Sequence, residues 1–279
     1  MGLFKNKRKS SQFASGRTEN GKLLHKNLEF TAAEQYKLIR ANLDFTLPQD
    51  ERCPVIGVTS SMRGEGKSTT AVNLSYVIAE KGSKVLLIDA DLRIPSIAKK
   101  LDIDSAPGLA DLLKGKGAQI SEFQTYLLPN WCILPSGDIP PNPSELLASV
   151  RMQKLLEALR ERYDYIIIDC PPALSQLTVN ALTASNGVII PMQCEFYSLE
   201  GMSQLMNTVK KIRQFYNPNL QIVGMLLTMY NGRLTLTGQV VAELKKYYED
   251  ILFKVPISRT VRISEAPGYG EPICYHDPY

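Results

Sequence analysis

Short blocks of β-branched and apolar residues alternate along the chain with longer stretches in which apolar positions recur every three to four residues. PVIGVTS (54–60), KVLLIDA (84–90), WCILPS (131–136), YIIIDC (165–170), GVIIPM (187–192) and QIVGMLLTM (221–229) are nearly continuous apolar runs. Such runs mark strands buried on both faces of a parallel sheet. Between them the spacing predicts helices over 67–81, 109–113, 143–162, 178–184, 199–215 and 237–248, with a last short strand near Phe253. This alternation implies a doubly wound, mostly parallel α/β sheet with helices on both faces. Ahead of the first strand, TAAEQYKLIRANLDFT (31–46) sets Tyr36, Ile39 and Leu43 at helical spacing, and Thr31 with Glu34 has the form of a capping box. Pro48 and Pro54 then bracket a linker. The expected organisation is a basic disordered tail over 1–30, an amphipathic helix and linker over 31–50, and one main domain over 51–279.

Composition narrows the class. With 44% hydrophobic and 22% charged residues the 279-residue chain is neither disordered, collagenous nor a coiled coil. No apolar run approaches the ~18 residues of a membrane-spanning helix, and no signal-peptide core follows the basic N-terminus, so a cytoplasmic location is expected. Five cysteines, an odd number without a C-x-x-C pair, argue against a disulfide framework or a zinc site and read as buried thiols. The net charge of +4 is uneven. Residues 1–26 hold seven Lys or Arg against one Glu, a balance of +6, which leaves −2 for the remainder. A solvated tail is the expectation for that arm.

The chemistry begins after the first strand. In SSMRGEGKST (60–69), Gly64 and Gly66 let the backbone fold around an anion, so that N–H groups near Glu65 and at the following helix N-terminus face phosphates. Lys67 adds a point charge, Ser68 is placed to put its hydroxyl on Mg²⁺, and Thr69 to contact a phosphate. Ser61 stands where the G-x-x-x-x-G-K-[ST] pattern begins with Gly, a deviant form with the GEGKST core intact. Asp89 and Asp91 in KVLLIDADLR, and Asp169 in YIIIDCPP, sit at the C-terminal ends of strands, where doubly wound sheets bind ligands. Asp89 and Asp169 are candidate metal ligands with Ser68; Lys67, Asp89, Asp91 and Asp169 are the candidate catalytic residues, with Asp91 or Asp89 placed to orient or deprotonate an attacking hydroxyl or water.

The set SSMRGEGKST, VLLIDADLR and IIIDCPP resembles the Walker A, A′ and B motifs of the MinD/ParA class of P-loop ATPases, which implies ATP and Mg²⁺ as cofactors. Residues 31–170 are similar to one branch, the bacterial tyrosine kinases of capsule and exopolysaccharide systems. The shared wording includes Arg93 and Pro95, IPPNPSELLAS (139–149) and the EQYKLIRANL helix, where Glu34, Lys37 and Arg40 fill a subunit-joining E-x-x-R-x-x-R motif. Residues 169–278, through LLTMYNGR and VPISRTVRISEAPGYGEPICYHDP, resemble the ParA/Soj chromosome-partitioning ATPases, which continue into a further helix. Met62 occupies the place of the signature lysine of those proteins, with Arg63 beside it as a substitute.

The two halves imply different outputs. The kinase branch implies a cytoplasmic protein-tyrosine autokinase regulating polysaccharide synthesis, self-associated as a dimer or ring and driven by a membrane activator protein, with Tyr269, Tyr275 and Tyr279 as candidate acceptors. The catalytic motifs and the N-terminal helix favour this output. The alternative is a ParA/Soj-type switch that dimerises around ATP and binds DNA non-specifically through Arg233, Arg259 and Arg262, together with a partitioning partner. In either case Asn231, after the QIVGMLLTM strand, falls where this class places an amide reading the adenine edge.

Overall fold

A computed structural model describes residues 31–47, 52–117, 119–172 and 176–278. The basic tail over 1–30, part of the linker and Tyr279 lie outside the described residues. In chain order the elements are α1 (Ala32–Thr46), β1 (Val55–Val58), α2 (Lys67–Glu80), β2 (Val85–Asp89), α3 (Ile97–Lys100), α4 (Leu109–Leu113), β3 (Thr125–Leu128) and β4 (Trp131–Leu134). They continue with α5 (Pro143–Leu147), α6 (Val150–Arg160), β5 (Tyr165–Asp169), α7 (Gln176–Thr183), β6 (Gly187–Gln193), α8 (Phe196–Phe215), β7 (Gln221–Thr228), α9 (Thr235–Tyr248), α10 (Val261–Glu265) and α11 (Ile273–His276).

Seven strands form one sheet in the order β3-β4-β2-β5-β1-β6-β7. Every neighbouring pair is parallel except β3–β4. Side-chain alternation sorts each strand onto two faces. Along β2, Val85 and Leu87 join the apolar cluster of α1 and α2, whereas Leu86 and Ile88 join the cluster of α4, α6 and α7. A third cluster packs α8 and α9 on β6 and β7. Helices therefore cover both faces, and the buried runs read from the sequence are buried for this reason.

Helix α1 belongs to the same core. Its capping box forms as expected, with the Thr31 N–H donating to the Glu34 carboxylate at 2.8 Å and the Glu34 N–H to the Thr31 hydroxyl at 3.3 Å. Tyr36, Ile39 and Leu43 are buried against α2 and α11. The charges that would join subunits in a kinase ring are engaged within the chain: Arg40 donates to the Val77 carbonyl at 2.8 Å, and Lys37 lies 3.9 Å from Glu80.

Besides the short helices α3, α10 and α11, which the sequence pattern does not predict, three features depart from it. Strand β3 went unread because it is an edge strand with half-exposed side chains, held by backbone pairing to β4 that needs no apolar signature. The helix expected over 143–162 is broken after Leu147, where the Ser149 hydroxyl accepts the Met152 N–H and starts α6 afresh. The strand expected near Phe253 reduces to single parallel bridges, Met225 with Leu252 and Tyr230 with Ser258.

Phe253 instead lies flat over Gly224 of β7, so closely that a Cβ there would collide with its ring. Gly224→Ala is expected to lower unfolding free energy by about 1–3 kcal/mol through overpacking. Gly238→Ala, on α9 with open space around it, should be neutral or stabilising by up to about 1 kcal/mol. Urea denaturation of the two variants checks the contrast.

Candidate functional site

Past the end of β1 the chain turns through residues 59–66 into α2. Gly64 and Gly66 both adopt φ of +87°, a left-handed conformation that glycine enters without steric cost. The Gly66 carbonyl accepts the Thr70 N–H at 2.8 Å, so the first turn of α2 begins at the loop and its leading N–H groups remain available for an anion. Two neighbouring strands pin this loop. Thr228, at the end of β7, donates its hydroxyl to the Glu65 carbonyl at 2.8 Å, and Gln193, at the end of β6, donates to the Gly64 carbonyl at 2.8 Å. The Glu65 side chain folds back to accept the Met62 N–H at 2.8 Å and the Ser61 hydroxyl at 3.0 Å. It braces the loop from inside.

Lys67 is buried, with its Nζ 3.1 Å from both the Ser60 hydroxyl and the Met62 carbonyl. Burial lowers its pKa, opposed by the charges of Asp169, Glu65 and Asp91. Asp89 and Asp169 are register partners across the β2–β5 pair, and both are sealed from solvent. Their surroundings differ. Asp89 accepts N–H groups from Asp91 (3.2 Å), Ser96 (3.2 Å) and Ile97 (3.1 Å), fastening the start of α3 to the sheet. Burial still dominates, and with the Asp91 charge it pushes the Asp89 carboxyl up to about 7 against those hydrogen bonds. Both carboxylate oxygens of Asp169 are buried and, among the described residues, meet no donor in good hydrogen-bond geometry, the Ser68 side chain being the neighbour whose looser hydrogen bonding favours the charged form. Burial and the neighbouring Asp89 hold this group well above the usual carboxylate range, while Ser68 and Lys67 draw it down. Asp91 is half-buried and accepts the N–H groups of Arg93 (3.3 Å) and Ile94 (3.1 Å).

Lys67, Ser68 and Asp91 line a cleft of about 470 Å³ together with Gly64, Thr69 and Lys100, among others, while the buried Asp89 and Asp169 are not part of its lining. A buried carboxylate without a well-aligned donor, next to a serine at a helix N-terminus, fits a hard divalent cation. Mg²⁺ is ordinarily held by one or two carboxylates together with phosphate oxygens and water. Among the described residues no three His, Cys, Asp or Glu side chains form a group that could hold a metal ion. Lys100 was missed from the sequence because nothing in a four-residue helix marks one lysine over another. In the structure it is half-buried beside the cleft, its pKa lowered by burial and raised by Asp169. A second cavity of about 250 Å³ shares Gly66, Thr69 and Met229 with the first and is walled by Tyr36, Thr70, Ser258 and Arg259.

The remaining sequence candidates are dispersed. Asn231 accepts the Arg233 N–H at 3.1 Å, closing the turn after β7, and lines neither cavity. Arg233 is exposed. Arg259 is exposed at the rim of the second cavity. Arg262 lies 3.5 Å from Glu265 and 3.8 Å from Asp277. Tyr269 packs its ring 4.9 Å from His276, Tyr275 is partly exposed on α11, and Tyr279 is outside the described residues.

Comparison with known proteins decides between the outputs. A family model described as an AAA domain matches residues 53–222. The chain is 42% identical over 234 residues to the sporulation initiation inhibitor protein Soj of Bacillus subtilis, spanning 80% of this chain and 91% of that protein. It is 39% identical over 233 residues to the chromosome partitioning protein ParA of Caulobacter vibrioides, spanning 80% and 87%. Among solved structures, cobyrinic acid a,c-diamide synthase from Mycobacterium smegmatis with bound ATP analog and magnesium matches with a TM-score of 0.67 at 28% identity, over 81% of this chain and 93% of that one. The kinase domain of the Escherichia coli tyrosine kinase ETK matches with a TM-score of 0.64 at 27% identity, over 78% and 83%.

The tyrosine-kinase expectation is therefore corrected. Soj and ParA proteins match at 37–42% identity over 80% of the chain, well above the 27% of the kinase domain, whose likeness is that of a shared fold. The kinase-like wording of residues 31–170 marks the site and α1, and α1 is packed into the monomer's own core. The acceptor roles of Tyr269, Tyr275 and Tyr279 lose their basis with the kinase. So does the membrane activator of a polysaccharide system.

The Asp89–Asp169 pair makes a pH prediction. Both carboxyls have folded-state pKa values above their unfolded ones, so the stability they contribute is full below about pH 4 and is lost as pH rises through the folded values, about 7 for Asp89. Asp169→Asn removes one member of the pair while keeping its size. Thermal melts of the nucleotide-free protein at pH 5 and pH 8 should show the variant gaining on the parent chain as pH rises; parallel curves would show that the carboxylate is not under this strain.

Proposed function

This chain belongs to the MinD/ParA class of P-loop ATPases, and from that membership we propose that it is an Mg²⁺-dependent ATP hydrolase acting as a ParA/Soj-type switch in the cytoplasm. ATP and Mg²⁺ are its cofactors. With ATP bound it self-associates and holds DNA non-specifically through surface arginines, and hydrolysis, promoted by a partitioning partner, releases it. One observation supports the catalytic part: the buried Asp169 carboxylate, which among the described residues meets no donor in good geometry and whose charged form is favoured by Ser68 and Lys67.

The chain's own groups divide the work. Backbone N–H groups from Gly64 to Thr69, with Lys67, hold the phosphates. Ser68 and Asp169 are the protein's ligands for the cation, which supplies charge neutralisation across the phosphates when bound. Asp91, half-buried at the cleft wall, is the group free to orient or deprotonate the attacking water. Asp89 acts through position: its hydrogen bonds to Ser96 and Ile97 fix α3 against the site. Arg63 lines the cleft next to Met62 and is the cation nearest the place of the signature lysine. Asn231 keeps its proposed role at the adenine edge only if the turn it closes opens to nucleotide.

For DNA the relevant quantity is free positive charge. Arg233 and Arg259 are exposed, whereas Arg262 is partly neutralised by Glu265 and Asp277. Lys67→Ala is expected to abolish ATP binding, and Asp91→Asn to lower hydrolysis by about 100-fold with binding retained, both read by calorimetry and phosphate release. ATP-dependent DNA binding should weaken steeply with salt, and Arg233→Glu and Arg259→Glu should each reduce it more than Arg262→Glu. DNA binding indifferent to ATP, or no phosphate release with DNA present, would sink the switch.

A further inference from the structure

Helix α1 supplies no group to the chemistry above, yet it reaches the nucleotide site. Gln35, buried on its inner face, donates from Nε2 to the Ser258 hydroxyl at 2.9 Å and accepts the Ser258 N–H on Oε1 at 3.0 Å. The segment around Ser258 is held on its other side by the end of β7. Ile257 donates its N–H to Leu227 (2.8 Å), Tyr230 to Ile257 (2.9 Å), and Arg259 to Tyr230 (3.0 Å). This segment therefore hangs between two supports, and the one contributed by α1 is a single side chain.

The next residue along α1 points to the purpose. Tyr36, buried, lines the 250 Å³ cavity with Ser258 and Arg259. Because Gly66, Thr69 and Met229 border both this cavity and the phosphate cleft, a ligand with its phosphates on the loop has this space open to its other end. Thr70 lines the same cavity, fully buried, with its side chain against the Tyr36 hydroxyl, so the two hydroxyls form a polar patch on the cavity wall. Met229, at the junction of the two spaces, holds φ of +49°, a conformation non-glycine residues adopt rarely and mostly at functional sites.

We propose that Gln35 is a positioning residue for the nucleoside half of the ATP site. Its paired hydrogen bonds fix Ser258, and with it the wall at 257–260 against which base and ribose lie. This rests on the reading of the loop as an ATP site and adds to it a coupling: nucleotide binding tightens α1, and a pull on α1 loosens the nucleoside but not the phosphates.

Calorimetric titration of the full chain with Mg-ATP and, separately, with inorganic tripolyphosphate and Mg²⁺ distinguishes the two halves of the site. Gln35→Ala is expected to weaken ATP about five- to tenfold, the range of two modest hydrogen bonds, and to leave tripolyphosphate within about twofold. Gln35→Glu keeps an acceptor for the Ser258 N–H and should restore most of the loss. Ser258→Ala removes one of the two bonds, should show a smaller selective loss, and carries the test if Gln35→Ala fails to fold. Equal losses for both ligands, or unchanged ATP affinity in Gln35→Ala or in Ser258→Ala, would overturn the role of Gln35. Lys67→Ala should abolish both titrations; if it does not, the ATP site itself is wrong, which is a separate failure.

Discussion

Two carboxylates end neighbouring parallel strands in register, both buried, with a lysine and a helix N-terminus in front of them. A sheet has no structural need for this. Like charges out of water repel, and each shifts its pKa upward to escape ionisation. The sequence around them resolves the strain unevenly. Among the described residues Asp89 receives three backbone N–H groups, whereas Asp169 receives none.

The rest of the fold keeps that arrangement in place. The loop carrying Lys67 is tied to β6 by Gln193 and to β7 by Thr228, the two strands next to β1 on one side of the sheet. On the other side Asp89 ties α3, and so Lys100, to the end of β2. Helix α1 closes the remaining quarter through Gln35 and Tyr36. A helix whose wording resembles a kinase's subunit contact thus serves here as packing, since its Arg40 and Lys37 are engaged with α2.

The six parallel strands and the loop were legible in sequence because their signals are local: unbroken apolar runs, and glycines followed by lysine and serine. What escaped was set by contacts between distant residues. Edge strand β3 is only four residues long with its leucines half-buried, Lys100 is distinguished only by where α3 lands, and Gln35 meets a partner 223 positions away. The output was misjudged for a related reason. The motifs nearest the phosphates are shared between kinase and partitioning branches, so they identify the nucleotide and leave the acceptor open. Likeness over 80% of the chain, much of it away from the loop, settled the branch.

The central claim is that Asp169 is a buried carboxylate built for a divalent cation. Electron paramagnetic resonance of Mn²⁺, used as a stand-in for Mg²⁺ and titrated with ADP present, reads it directly. The account predicts bound Mn²⁺ in the parent protein and affinity at least about tenfold weaker in Asp169→Asn, with ~10-fold taken as the loss of one charged ligand. Asp89→Asn should fall well short of that. Equal Mn²⁺ affinity in the parent and Asp169→Asn would contradict the account.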